Sequence, residues 1–271
     1  MTAIITPLLT HFRSGTYDRT RERAFHLSVL LGEGVCAWVV HATGNGELVA
    51  MAWSAGDLAL KDNHLPEHPV SVSYVALPEW STLVPDAALV PGTEAQHLSL
   101  VHGNAPKGQI RTEPVRLLGA TCIYSRSAQA EKTLLELFAN ARPLPLRSIL
   151  VRGVLSRSSS KPSVLLHKGA DRTEIAIAYQ NHLLLCNSFP VHTSADLLYF
   201  TLLAVERTGH SPADIDLFYG GTHLNANDRE LLAKYFKHLD GAVLDPFPDS
   251  NAEQDPADRW LAALEQFACV S

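Results

Sequence analysis

The spacing of hydrophobic and polar residues predicts a three-stranded meander in each half of the chain. In the first half, strand-like runs over 25–31, 35–41 and 47–53 are separated by the glycine-containing polar turns 32–34 and 44–46. Turns of this composition join neighbouring antiparallel strands. The first half is therefore expected to open with a meander.

The second meander is predicted over 163–189. An apolar run over 163–167 is followed by an alternating run over 174–179 and by a second apolar run over 183–189. Alternation at every second residue is typical of a strand that buries one face. The intervening segment 180–182 is short and polar, so the third strand should return antiparallel to the second.

A helix is predicted immediately after this meander. Thr193 and Asp196 have the spacing of a capping box, in which the hydroxyl accepts a backbone amide and the carboxylate reaches back to the cap. Residues 197–205 are nearly all apolar, which indicates a helix covered on most of its sides. Gly209 should end it, and a buried strand over 215–219 should follow.

Weaker patterns predict the remaining elements. In chain order these are a loop over 56–69, a strand over 70–77, an extended segment over 82–85 followed by short helical turns, a loop over 102–111, a strand pair or one bent strand over 115–124, and a helix from the cap Ser127 to Phe138. Residues 144–156 have helical spacing, with a strand as the alternative because of their branched side chains. Near the C-terminus we expect a helix capped by Asn225 or Asn227 and ending at His238, a short strand at 243–244, an acidic loop over 245–255, and an amphipathic helix from Pro256.

A linker-like segment divides the chain. Residues 156–162 read Ser-Arg-Ser-Ser-Ser-Lys-Pro, a composition typical of connections between domains. A chain of 271 residues is long enough for two medium domains. We predict an irregular N-terminal arm over 1–21, a first lobe over 22–157, and a second lobe over 158–271 whose C-terminal helix packs back on the body.

Composition excludes several classes of function. A formal net charge of -6 argues against nucleic acid and anionic membranes as partners. Four scattered cysteines in apolar surroundings indicate reduced thiols, as in a cytoplasmic protein. Neither a signal peptide nor a transmembrane segment is expected, because the longest apolar run is about half of the ~20 residues that span a bilayer.

Common catalytic and metal-binding motifs are missing from the sequence. There is no phosphate-binding loop ending in Gly-Lys-Ser/Thr, no Gly-x-Ser-x-Gly and no His-Glu-x-x-His. His64 and His68 are interpreted as loop histidines, because Pro66 between them is incompatible with a helix. His167 is interpreted as a core histidine. Asn187 and Ser188 are more typical of a turn than of a ligand site, and the capping box accounts for the Asp196 carboxylate.

Several motifs together resemble the actin/Hsp70/sugar-kinase superfamily and, more specifically, a bacterial family of unknown function that is assigned to this fold. The resemblance covers roughly residues 22–240. It rests on the motifs Thr82-Leu83-Val84-Pro85, Leu185-x-Asn187-Ser188-Phe189 and Thr193-x-Ala195-Asp196-Leu197-x-Tyr199-Phe200, with Gly220 closing the next strand. It implies an α/β protein with mixed sheets and a two-lobed actin-like ATPase fold of the ribonuclease H-like type, in which each lobe opens with a meander.

The resemblance also implies where a nucleotide would bind. In the superfamily, each opening hairpin carries an Asp-x-Gly turn that contacts phosphate and Mg²⁺, and a later Gly-Gly turn touches adenosine. This chain has Leu31-Gly32-Glu33-Gly34 in the first hairpin and a histidine, His167, where the second carboxylate is expected. The residues that remain for a nucleotide cleft are Gly169, Asp171, Gly220 and Gly221. Close approach of a ligand to Gly220-Gly221 competes with a simple tight turn.

Two functional hypotheses follow from this resemblance. The first is a catalytically degenerate actin-like protein that acts by binding a protein partner or a small ligand, as a monomer or homodimer, with no catalytic or metal-binding residue assigned. No cofactor is firmly implied, and Mg²⁺-ATP is the candidate. The alternative is a working ATPase or phosphotransferase in which Glu33 and Asp171 supply the metal-site carboxylates. A subunit of a larger assembly is a third hypothesis.

Overall fold

The computed structural model describes residues 9–103, 108–158, 160–243 and 257–270. Its strands are β1 (Thr10–Arg13), β2 (Phe25–Gly32), β3 (Val35–Ala42), β4 (Leu48–Ala55), β5 (Ser71–Leu77), β6 (Glu79–Pro85), β7 (Gln109–Val115), β8 (Ala120–Arg126), β9 (Arg142–Pro143), β10 (Ser163–Lys168), β11 (Arg172–Tyr179), β12 (His182–Pro190), β13 (Asp216–Gly220) and β14 (His238–Gly241). Its α-helices are α1 (Glu94–His102), α2 (Ala128–Leu137), α3 (Leu146–Arg157), α4 (Ser194–Arg207), α5 (Ala226–Ala233), α6 (Leu261–Leu264) and α7 (Phe267–Val270). Short 3₁₀ turns include Arg19–Ala24, Leu58–Lys61 and Ala257–Trp260.

The first sheet has the strand order β1-β4-β3-β2-β5-β9. Strands β2, β3 and β4 form the predicted antiparallel meander, and β5 pairs parallel to β2. Strand β2 is buried along nearly its whole length, because it lies in the middle of the sheet. Its core includes Trp38, whose indole Nε1 donates to the carbonyl of Ala59 at 2.9 Å.

The second sheet repeats this topology in the order β12-β11-β10-β13-β14. Strands β10, β11 and β12 are antiparallel, and β13 and β14 add in parallel on the other side of β10. Apart from β1, the two sheets have the same order. The three meander strands lie side by side in reverse chain order and are followed by two parallel strands, as β4-β3-β2-β5-β9 and β12-β11-β10-β13-β14. Parallel additions of this kind require crossover connections, which α4 and α5 supply in the second sheet.

A small third sheet has the order β6-β8-β7. Its strands are antiparallel throughout, and α1 packs on it through the buried side chain of Leu98. Because β7 and β8 form a hairpin, the segment around Gly119 is a strand pair rather than one bent strand. The predicted loop over 102–111 is also shorter than expected, since β7 begins at Gln109.

The chain forms two compact units. The first consists of Met1–Leu77, Ala128–Leu144 and Ala262–Ser271, and the second of Pro78–Ser127 and Pro145–Leu261. The first unit contains the six-stranded sheet, and the second contains the other two sheets. These units are not continuous segments, so they do not test the lobe boundary predicted at 157/158, which stays a prediction.

The strong local patterns are confirmed by the structure. Both meanders form, and residues 146–157 are helical rather than extended. The α4 capping box is present, with Asp196 N donating to Thr193 Oγ1 at 3.1 Å and Thr193 N donating to Asp196 Oδ2 at 2.9 Å. Helix α4 is covered on most sides as expected, and Tyr199, at 61% exposure, is the one exposed side chain between residues 197 and 205. Gly209 follows the helix with a φ of 77°. Asn225, rather than Asn227, caps α5.

Several expectations were wrong. The arm predicted to be irregular contains β1, which pairs with β4. The helix expected to reach His238 ends at Ala233, and residues 238–241 form β14 instead, because parallel pairing with β13 overrides the weak local helical preference. The final helix is broken into a 3₁₀ turn and the short helices α6 and α7.

Some predictions fall outside the described residues. These are the first eight residues of the arm, part of the 102–111 loop, Ser159 in the linker, Leu244 of the short strand, the acidic loop over 245–255 and the helix start at Pro256.

Candidate functional site

The turn between β10 and β11 carries two of the predicted site residues, Gly169 and Asp171. Gly169 is buried, and its N–H donates to the carbonyl of Arg172 at 2.9 Å. The carbonyl of Asp171 accepts from Val191 N at 3.0 Å. The Asp171 carboxylate is 61% exposed and lies 3.5 Å from Arg172 Nε. Backbone hydrogen bonds therefore hold the turn, while the carboxylate stays accessible.

The other two predicted residues, Gly220 and Gly221, end β13. Gly221 has a φ of 122°, and a Cβ there would overlap the backbone of Lys168. A Cβ on Gly220 would lie 2.6 Å from the carbonyl oxygen of Asp258, which also accepts a 3.0 Å hydrogen bond from Gly221 N. The protein's own backbone thus occupies the space that these glycines leave, and close packing is a sufficient reason for their identity. Their adenosine-binding role stays a prediction.

The structure therefore brings Gly221 next to the strand that leads into the 169–171 turn. The carbonyl of Lys168 accepts from His223 N at 3.2 Å, so the segment after β13 lies along the end of β10. Gly169 and Gly221 belong to one packed corner of the second unit. Asp171 lies on the exposed side of the same turn.

A buried ion pair lies directly beside this corner. Lys168 Nζ is 2.6 Å from Asp228 Oδ2, and the Asp228 side chain is fully buried. Asp228 also accepts from Ser194 Oγ at 2.7 Å and, as part of the α5 capping box, from Asn225 N at 2.9 Å. Three donors therefore use both carboxylate oxygens. The only signal in the sequence was the capping-box spacing of Asn225 and Asp228, which does not point to Lys168.

A second buried charged network joins the three-stranded sheet to the five-stranded sheet of the second unit. Arg147 on α3 donates to Glu174 Oε2 at 2.9 Å, to Ser81 Oγ at 3.1 Å and to the Cys186 carbonyl at 3.1 Å. Its side chain and that of Glu174 are at most 5% exposed. Sequence reasoning missed this network, because Arg147 lies inside an apolar helical pattern and its partners are distant in the chain.

Glu79 and Arg126 extend this charged network. They face each other at the open end of the β6-β8 pair, with Arg126 Nη1 3.8 Å from Glu79 Oε2, too far for a hydrogen bond. Burial raises the pKa of Glu79 to about 7, although the Arg126 guanidinium acts in the opposite direction. Glu79 is therefore a carboxyl that can hold its proton near neutral pH.

The remaining polar residues considered as site candidates make contacts within the fold that explain them without a ligand. Asn187 and Ser188 lie inside β12, paired with Ile175 and Glu174 of β11, so the turn expected there is wrong. Asn187 Oδ1 accepts from its neighbour Ser188 N at 2.9 Å. Backbone hydrogen bonds from His192 and Thr193 hold the pKa of Asp196 below its ordinary value. His167 is buried on β10, as expected of a core histidine. In the described ranges, no group of three His, Cys, Asp or Glu side chains has a metal-binding arrangement.

One exposed tyrosine and two partly buried phenylalanines lie where α4 meets β12. Phe189 of β12 stacks on Phe200 of α4 with ring centroids 5.1 Å apart, and Tyr199 contacts Phe200 edge-on at 5.1 Å. We call Phe189, Tyr199 and Phe200 the aromatic surface. β12 is an edge strand, because it pairs only with β11 in the sheet order.

Among the described helices, none is both long and apolar enough to cross a membrane.

Comparison with solved structures identifies the fold. The chain is similar to a Bacteroides thetaiotaomicron protein with an actin-like ATPase fold and unknown function, at a TM-score of 0.73 and 16% identity over 94% of this chain and 100% of that one. It is also similar to a chain of the PilM-PilN type IV pilus biogenesis complex, at a TM-score of 0.59 and 14% identity over 91% of this chain and 98% of that one. With the repeated strand order described above, these similarities show that the chain has an actin-like ATPase fold.

The family follows from the sequence itself. A family model described as "Protein of unknown function (DUF3822)" matches residues 72–239, which is more than half of the chain. The chain belongs to this family. No curated protein sequence matches it significantly. The family and the fold expected from the sequence motifs are thus confirmed.

Proposed function

We propose that this protein uses an actin-like ATPase fold to bind a protein partner, without turning over nucleotide. The observation that carries the proposal is the buried Lys168–Asp228 ion pair, 2.6 Å long, at the end of the second opening hairpin. In the superfamily that the chain resembles, this hairpin contacts phosphate and Mg²⁺. Here the buried charges beside the hairpin neutralise each other.

The chemistry of Asp228 supports this interpretation. A Mg²⁺ ion needs carboxylate oxygens that can enter its coordination sphere. Both oxygens of Asp228 already accept hydrogen bonds from Lys168, Ser194 and Asn225. Releasing Asp228 would leave the Lys168 ammonium buried without a counter-charge, which costs several kcal/mol.

The aromatic surface supports a protein partner. Tyr199 is 61% exposed and is held at a fixed angle against Phe200. Rigid tyrosine and phenylalanine side chains are enriched at protein interfaces, where they bury a large area with little loss of conformational entropy. The similar chain of the PilM-PilN complex is named as part of an assembly. That likeness extends to the fold alone, so the partner here remains to be identified.

The first test concerns nucleotide turnover and binding. Purified protein is assayed for phosphate release from Mg²⁺-ATP and for thermal unfolding with and without millimolar Mg²⁺-ATP. We expect no release above that of a heat-denatured control and no upward shift of Tm. A site whose dissociation constant is a thousandfold below the ligand concentration would stabilise the protein by about 4 kcal/mol. Such a shift together with turnover would overturn the proposal.

The second test concerns the partner. The wild type, Tyr199→Glu and Tyr235→Glu are cross-linked in a lysate of the source cells, and the captured proteins are quantified by mass spectrometry. Tyr235 is a matched control, since it is 51% exposed in the same unit and outside the aromatic surface. One protein should be captured by the wild type and by Tyr235→Glu but lost with Tyr199→Glu. Equal capture by all three would contradict the assigned surface.

The second candidate function is the working ATPase with Glu33 and Asp171 as metal-site carboxylates. One observation favours it: the Asp171 carboxylate is 61% exposed in the turn between β10 and β11, so it is accessible to a ligand. This function requires that Glu33→Ala and Asp171→Ala each abolish phosphate release. The partner-binding proposal instead expects both variants to bind the partner as the wild type does.

A further inference from the structure

A cavity in the first compact unit lies between the segments 67–72 and 138–142. Its volume is about 640 Å³, within the range of small-molecule sites. Its lining includes Arg23, Glu67, Val70, Val72, Phe138 and Arg142. We propose that this cavity binds a small organic anion, with its carboxylate or phosphate group on Arg23 and Arg142 and its apolar part against Phe138 and the valines. This site is independent of the partner-binding function proposed above.

Hydrogen bonds hold the wall formed by 67–70. Glu22 Oε2 accepts from Glu67 N at 3.0 Å and from His68 N at 2.6 Å, and Val70 N donates to the Phe25 carbonyl at 3.0 Å. These bonds tie the wall to the 3₁₀ turn that carries Arg23. The wall does not need to be ordered when a ligand arrives, which lowers the entropic cost of binding.

The opposite wall is held by β-pairing. Arg142 belongs to β9 and pairs with Ser73 of β5, and Ala141 N donates to the Phe138 carbonyl at 3.0 Å. The backbone of Arg142 is therefore part of the six-stranded sheet. Of the two arginines, one is carried by a 3₁₀ turn and the other by a sheet edge, so both backbones have fixed positions.

The charge of the cavity is opposite in sign to that of the whole chain. The protein has a net charge of -6, whereas the cavity is lined by two arginines and one carboxylate, Glu67. Glu67 is engaged elsewhere, because its Oε1 lies 2.7 Å from Arg19 Nη2. Among the described residues, Arg23 has no ion pair. Arginine's planar fork of donors matches the oxygens of carboxylates and phosphates.

The apolar part of the lining narrows the class of ligand. Phe138 and Val72 pack against the core cluster of the first sheet and are only partly buried, while Val70 is 58% exposed. An inorganic ion would leave this apolar surface in water. A ligand that carries an aromatic or branched apolar group beside its charged group would cover it, and removing apolar surface from water is favourable.

The test uses three probes of similar size: phenyl phosphate, benzoate and the neutral benzyl alcohol. Each is titrated into the full-length protein by calorimetry at low ionic strength. We expect at least one of the two anions to bind at millimolar concentration or below, and benzyl alcohol to bind at least about tenfold more weakly, because it lacks the charge-assisted hydrogen bonds. Comparison of phenyl phosphate with benzoate distinguishes a phosphate site from a carboxylate site.

Variants locate the binding. Arg23→Ala and Arg142→Ala should each weaken binding of the anion about tenfold, whereas Arg21→Ala, in the same 3₁₀ turn but outside the cavity lining, should leave it unchanged. Arg142→Lys keeps the charge without the fork and should give an intermediate affinity. If Arg142→Ala weakens binding only because it disturbs β9, Arg142→Lys, which keeps a long charged side chain, separates that structural effect from loss of the guanidinium. Glu67→Gln should strengthen binding.

Three results would overturn the inference. The first is that neither anion binds at millimolar concentration. The second is equal binding of benzyl alcohol and the anions, which would mean a non-specific apolar site. The third is unchanged anion binding in both Arg23→Ala and Arg142→Lys. None of these results depends on the identity of a protein partner or on nucleotide turnover.

Discussion

Each compact unit buries an extended polar network, and the network of the first unit differs in chemistry from the Arg147 network of the second. In the first unit the network is neutral: His26 bonds Ser71 Oγ at 2.7 Å and Ser73 Oγ at 2.9 Å, and Ser73 donates to Gln266 Oε1 at 2.8 Å. Gln266 Nε2 then donates to the Val29 carbonyl at 2.9 Å. In the second unit the network is ionic and centres on Arg147.

The neutral network determines the protonation state of His26. Ser73 uses its one hydrogen to donate to Gln266, so it must accept from His26 Nε2–H, and the unprotonated Nδ1 accepts from Ser71. Burial lowers the pKa of His26 to about 4 and that of His41 also to about 4. Every partner in this chain of bonds is satisfied without a charge, and Gln266 thereby joins the C-terminal segment to β2.

The ionic network depends on each of its partners being present. Buried ions are costly to desolvate, and only their mutual attraction and hydrogen bonds offset that cost. The two networks should therefore respond differently to mutation and to pH. Removing a partner should do most damage in the ionic network, and acid should destabilise the neutral one.

The largest effect is expected from Arg147→Ala. It leaves the buried Glu174 carboxylate without its counter-charge, so the free energy of unfolding should fall by about 3 to 5 kcal/mol. Urea denaturation measures this change. Arg152→Ala is the matched control, because Arg152 is exposed on the same helix. A loss of less than about 1 kcal/mol for Arg147→Ala would show that the ionic network contributes no more than a surface pair does.

The next effect comes from Glu79, whose pKa is raised from 4.5 to about 7 by burial. The folded protein binds this proton more tightly than the unfolded one, so stability is complete below about pH 4.5 and is lost as the pH rises to about 7. Glu79→Gln should therefore be more stable than the wild type at pH 8, by on the order of 2 to 3 kcal/mol, and similar to it at pH 4.5. Equal stability at both pH values would mean that Glu79 ionises normally.

Gln266→Ala tests the neutral network. It removes the bonds to Ser73, Val29 and Ala262, and it leaves the buried Val29 carbonyl without this donor. We expect a loss of about 2 kcal/mol in the free energy of unfolding. The effect should be smaller than that of Arg147→Ala, because no charge is stranded. A larger loss for Gln266→Ala than for Arg147→Ala would mean that the neutral network contributes more to stability than the ionic one.

The pH dependence of the first unit has the opposite sign to that of Glu79. His26 and His41 have folded pKa values of about 4, below the ordinary value of 6.5. Their contribution is complete above about pH 6.5 and is lost as the pH falls to about 4, at up to about 1.4 kcal/mol per pH unit for each histidine. His26→Gln should reduce this acid slope in urea denaturation between pH 7 and pH 5. The exposed His182→Gln is the control, and it should keep the wild-type slope.

The smallest effect provides a surface reference for the comparison. Thr193→Ala removes the N-cap of α4, whose hydroxyl accepts from Asp196 N at 3.1 Å in an exposed position. The expected loss is about 1 kcal/mol. Thermal unfolding of this variant beside Gln266→Ala would show whether a buried neutral network exceeds an exposed cap. Equal losses would mean that burial adds nothing to these hydrogen bonds.

Elements with local signals could be predicted before the structure was known. Turn residues and alternation defined both meanders, and the Thr193–Asp196 spacing located the start of α4. Apolar spacing favoured a helix over 144–156, with a strand as the alternative, and α3 forms at Leu146–Arg157. These features depend on residues within a few positions of one another, because strand alternation, helical period and capping are short-range effects. The motifs also indicated the family and the fold.

Features that depend on distant partners could be found only in the folded protein. Strands β1 and β14 have four residues each, and they exist because β4 and β13 supply their hydrogen bonds. The pairing of Arg147 with Glu174, and of Lys168 with Asp228, joins residues from separate elements that no local pattern connects. A buried charge is tolerated only where the fold brings it an opposite one, so the partners could be recognised only once the chain was folded.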